Sequence, residues 1–94
     1  MIHKLTTTNV KKLTGSGKVA DAGCEIYAVV LAAGSANATV VIHNSEDNSG
    51  TEVLKLAAVA SSTEAVSFSH PIQLANGAYA TISGTGAEVT VSYR

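Results

Sequence analysis

The stretch AYATISGTGAEVTVSY, residues 78–93, carries an apolar/polar alternation with a period of two. Val89, Val91 and Tyr93 alternate with Glu88, Thr90 and Ser92, so an extended backbone would present one apolar and one polar face. Upstream, Ala78–Ser83 has strand composition, and Gly84-Thr85-Gly86 permits a tight reversal between the two segments. The pattern predicts a β-hairpin.

The same period extends through the chain. Glu25–Ala32 is apolar on both faces, which fits a central strand. Gly34-Ser35-Ala36-Asn37 reads as a turn and Thr39–His43 as the returning strand, a second hairpin. After the polar loop Asn44–Gly50, Glu52–Ala57 reads as a strand with Leu54 and Leu56 on one face. Beyond Ala57, a short helical turn through Ala60 is an alternative to continued strand. Thr63–Ser69 reads as a strand with Val66 and Phe68 inward, broken at His70-Pro71 because proline lacks a ladder donor. Ile72-Gln73-Leu74 is then a short edge piece, and Lys18-Val19-Ala20 a further short strand. These readings predict an all-β protein: a small antiparallel β-sandwich, jelly-roll-like, with six to eight short strands. Residues 1–14 form a basic arm or an edge strand, and residues 15–94 the sandwich.

A chain of 94 residues makes one small domain. Hydrophobic residues are 46% of it but aromatics only 4%, so its core is built largely from alanine and valine. Small side chains bury little area each, at about 25 cal/mol per Å², which favours sharing a core between subunits. Charged residues are 14%, against about 25% in average usage, so the surface is largely neutral Ser, Thr, Asn and Gly. Charge is also segregated. Lys4, Lys11, Lys12 and Lys18 precede the first acid, Asp21, whereas all seven acids share the remainder with only Lys55 and Arg94. A basic first stretch of this kind docks on an acidic neighbour or stays solvated.

The chemical motifs fail on spacing. Gly15-Ser16-Gly17-Lys18 suggests a phosphate loop, but that loop needs a glycine where Lys12 stands, a hydroxyl where Val19 stands, and a following helix. It reads as a turn between the basic stretch and the β body. No nucleophile elbow surrounds Ser16 or Ser35. His3, His43 and His70 have no triad spacing and read as surface or interface residues. With the single Cys24 they form no close ligand pair. Asn44, Glu46, Asp47 and Asn48 gather oxygens in one loop without the EF-hand pattern. No Arg cluster interleaves with aromatics, so nucleic acid is not an expected partner. The longest apolar run, Ile26–Ala33, is far short of the about 20 residues that span a bilayer, so no membrane partner is expected either. The first residues lack the apolar segment of a signal peptide, which predicts synthesis in a cytoplasm. Neither cofactor nor metal is expected, and no enzymatic activity. Tyr27 and Tyr79 join Lys4, Lys11, Lys12 and Lys18 as candidate interface residues.

TGSGKVADAGCEIYAVVLAAG (14–34), ATVVIHNSEDNSGTEVLKL (38–56) and FSHPIQLANGAYATISGTGAEVTVSY (68–93) together resemble a group of short phage-encoded proteins. These share a GKV start, a Gly-Thr segment after a polar turn, and an ending in which Asn-Gly precedes Tyr and a Gly-rich turn precedes the last strand. The likeness runs from about Gly15 to Tyr93. Ala78 stands where leucine is more usual before the tyrosine, which implies a leaner core, and Cys24 stands where a smaller residue is commoner. The resemblance implies a virion structural role: capsid decoration (cement), or a head or tail accessory. Its partners would be itself, as a trimer, and the major capsid or another virion protein. The rival expectation is a small β binding module on a phage tail that contacts host glycan.

Overall fold

A computed structural model describes residues 8–94. Eight strands follow one another among these residues: β1 (Asn9–Leu13), β2 (Gly17–Ala20), β3 (Cys24–Ala32), β4 (Ala38–Asn44), β5 (Thr51–Ala58), β6 (Thr63–Leu74), β7 (Ala78–Ser83) and β8 (Glu88–Tyr93). They form two four-stranded antiparallel sheets, one ordered β1-β8-β3-β6 and the other β2-β7-β4-β5. The pairing is nested. β4 pairs β5, β3 pairs β6, β2 pairs β7 and β1 pairs β8, as if one long antiparallel strip had been folded at the β4–β5 turn and rolled up. β3 then closes on β8, and β4 on β7. This is the jelly-roll arrangement of two facing sheets.

The roll changes the meaning of the glycine-rich turns. Segments 78–83 and 88–93 are strands, but they lie in different sheets, as do β3 and β4. The two predicted hairpins are therefore arches across the sandwich. β4–β5 is joined as a true hairpin around the polar loop. The physical reason is packing between the arches. A Cβ on Gly34 would lie 2.5 Å from the Thr85 carbonyl oxygen and 2.8 Å from the Gly86 Cα. Gly84, at φ +114°, presses in the same way on Asn37 and Ala38.

Pro71 does not end a strand. β6 runs from Thr63 to Leu74, and its register against β3 slips: Ile26 faces Ile72 while Ala28 faces Ser67. Pro71 falls in the surplus segment, on an edge strand, where a missing donor leaves no central ladder open. The segment after β5 is a β-turn, with Ser62 N donating to the Val59 carbonyl and Ser61 at φ 63°.

Between the sheets, Ile26, Val29, Leu31, Leu74, Val89 and Val91 pool with Val19, Ala38, Val40, Ile42, Ala78 and Ala80 in one buried cluster. Ala78 is fully enclosed. On the outer face, His43 pairs in register with Tyr79 yet is only 7% exposed, where a surface or interface histidine is expected. Its Nδ1 lies 3.1 Å from the Gly50 carbonyl and its Nε2 2.9 Å from Thr81 Oγ1, so both ring nitrogens are occupied.

The arch contact gives a direct test. Gly34→Ala is expected to destabilise the protein by about 1–3 kcal/mol in urea unfolding, the usual range for overpacking. Gly15→Ala, which meets nothing within 4 Å, is expected to be neutral or slightly stabilising.

Candidate functional site

β1 and β2 are consecutive edge strands, one in each sheet. A cleft of about 390 Å³ is lined by residues of both strands, Lys11, Lys18, Val19 and Ala20, and by Tyr93 and Arg94. Strand alternation places the flank's lysines differently. Lys11 pairs in register with Val91, which is buried, so Lys11 is on the inward side of β1. Lys12 pairs with Thr90 and belongs to the outer face, where its Nζ meets Glu88 Oε1 at 2.9 Å. Both members are largely in water, so the pair adds no more than about 1 kcal/mol.

Lys18 is committed as well. Its Nζ lies 2.6 Å from Asp21 Oδ1 and 3.5 Å from Glu46 Oε1, while the Ala22 amide donates to Glu46 Oε2 at 3.1 Å. The hydrogen bond to Asp21, above all, holds the Lys18 ammonium protonated beyond its ordinary range. Among the described residues, Lys11 is the flank lysine with no ion pair.

The predicted tyrosines fall on opposite outer faces. Tyr79 is Lys18's partner across β2–β7 and meets His43 edge-on, with 6.2 Å between ring centroids. Tyr27, on β3, carries the Arg94 guanidinium 5.2 Å from its ring centroid. The structure thus groups Lys11 and Lys18 at one cleft, with Tyr79 beside Lys18, and leaves Lys12 and Tyr27 outside it. Lys4 lies outside the described residues.

Sequence reasoning missed Glu25 and Arg94. Their backbones exchange hydrogen bonds at 2.8 and 2.9 Å, and Arg94 Nη2 lies 2.6 Å from Glu25 Oε1. Gln73 and the Tyr27 hydroxyl donate to the same carboxylate. The Arg94 hydrogen bond is the main reason the Glu25 carboxyl sits below its ordinary range. Sixty-nine positions separate the pair, so no local signal joins them. Gly23 and Cys24, which also border the first cleft, line a second one of about 430 Å³ with Glu25, Gln73 and Leu74. Burial pushes the Cys24 thiol up, away from the reactive thiolate.

The oxygens of the β4–β5 loop are used internally. Asp47 accepts from the Ser45 and Ser49 hydroxyls and the Ser49 amide, chiefly from Ser49, which lowers its carboxyl. Asn44 Oδ1 accepts from the Asn76 amide. No group of three metal-ligating side chains gathers among the described residues. No protein-family model, curated protein or solved structure matches the chain.

A carboxyl depressed by folding supplies stability above its unfolded pKa, and that contribution is lost as pH falls through the lower folded value. Wild-type protein is therefore expected to lose stability as pH drops below the ordinary carboxylate range of about 4. Glu25→Gln is expected to be less stable at neutral pH and to lose less on acidification. Urea midpoints across the acid range check this, and an unchanged slope in the variant contradicts it.

Proposed function

We propose that this chain is a non-enzymatic structural component of a phage virion, an oligomeric capsid-decoration or head or tail accessory protein. In this reading it is made in the host cytoplasm, associates with itself as a trimer, and resides on the particle against the major capsid or another virion protein. The observation that carries the reading is the rolled order β1-β8-β3-β6 over β2-β7-β4-β5. Jelly rolls recur in viral capsid domains, so the fold supports by analogy what the resemblance of residues 15–93 to short phage proteins implies. The lean core and the neutral Ser/Thr-rich surface fit a small domain completed by its neighbours.

The glycan-binding alternative draws on the same fold, which lectins also use. It needs open aromatic platforms. Both Tyr27 and Tyr79 are half-buried, and the Tyr27 ring is already engaged by Arg94. This favours the structural reading.

Mass spectrometry of purified particles tests it. The chain is expected among the virion proteins, at high copy number for decoration and at a few copies for a head or tail accessory; absence from particles overturns the proposal. Light scattering coupled to chromatography is expected to give a trimer, and a clean monomer at high micromolar concentration overturns that part.

A further inference from the structure

Among the described residues the two sheets leave four edges, β1, β6, β2 and β5, and three of them are irregular. β2 has four residues and a shift between Lys18 and Ala20. The β4–β5 ladder shifts at Ile42/His43, and Lys55 is exposed on β5. β6 carries Pro71 within its slip against β3. Such shifts, prolines and lysines are how sheets block further strand pairing. β1 differs. Its five residues pair with β8 in an unbroken register from Asn9↔Tyr93 to Leu13↔Val89. Leu13 packs partly against the core, and the other four residues are exposed, Val10 at 64%.

This regular edge is guarded by charge. Lys11 on the inner side and Lys12 on the outer would set lysine against lysine if two copies of β1 paired. The same charges favour an acidic strand. Lys11 has no ion pair among the described residues and lines the cleft between the sheets, so an inward side chain at this flank has both space and an opposite charge to meet. Val10 offers an apolar contact on the outer face.

We propose that β1 is a strand-addition site. An extended segment of a partner polypeptide lengthens the β1-β8-β3-β6 sheet, with acidic side chains turned inward beside Lys11 and apolar side chains turned outward beside Val10. The site is a property of the isolated chain, and it stands whichever particle the protein belongs to.

The probe is a fluorescein-labelled peptide TVEVEVT, titrated with the full chain and followed by anisotropy at low salt. Saturable binding is expected, weakened at least tenfold by Lys11→Glu, with TVKVKVT failing to bind. Two further peptides, each N-methylated on one alternate set of amides, probe the backbone of the unaltered protein. Methylation on the edge facing β1 is expected to abolish binding, and methylation on the other edge to leave it. No binding of TVEVEVT overturns the proposal. So does equal binding of both methylated peptides, which means charge attraction alone, or binding unchanged by Lys11→Glu. An oligomer that Lys11→Glu disperses in sedimentation overturns it too, because the edge would then belong to a second copy.

Discussion

Gly34 lets the chain approach the Thr85 carbonyl and the Gly86 Cα more closely than any β-carbon would allow, and this contact between two crossings constrains how the sheets are joined. The β3–β4 and β7–β8 connections each carry the chain from one sheet to the other, and at this point they lie against each other. A side chain here would separate the arches. The strain would be passed to β4 and β8, the strands that leave the two arches. The pairings of β4 with β7 and of β8 with β3 hold each sheet together across its middle. The valine and isoleucine rows of β3, β4 and β8 can face one another because the crossings fit.

Alternation identified faces well. Val89 and Val91 are inward, and β3, apolar on both sides, is central between β8 and β6. Alternation carries no information about neighbours. A strand with the same inward residues satisfies its period in either sheet, and Gly-Thr-Gly suits an arch as well as a hairpin turn. Both predicted hairpins failed for that reason. Pro71 misled because a proline breaks an interior ladder, whereas β6 lies at an edge. The candidate surface was legible in the same uneven way. Segregated lysines marked the β1/β2 flank, but their parity along β1 decided that Lys11 turns to the cleft and Lys12 to Glu88. Arg94 with Glu25, and His43 with Thr81, are joined only by the fold.

Three of the four ion pairs among the described residues lie at the end of the sandwich where β2 meets β3. Lys18 gathers Asp21 and Glu46, and Glu46 in turn holds the Ala22 amide, tying the β2–β3 turn to the β4–β5 loop. Glu25 gathers Arg94, Gln73 and Tyr27 on the adjoining face.

The nested pairing also favours one order of assembly by loop entropy. The β4–β5 hairpin closes the shortest loop, whereas β3·β6, β2·β7 and β1·β8 each enclose a longer length of chain. Loop entropy rises with that length, so a chain that zips outward from the hairpin converts each long closure into a short one. The last pair to form joins the two extremities of the strip. Among the described residues β1 reaches the core through Leu13 alone, so its amides are expected to exchange with solvent through openings that leave the other strands paired.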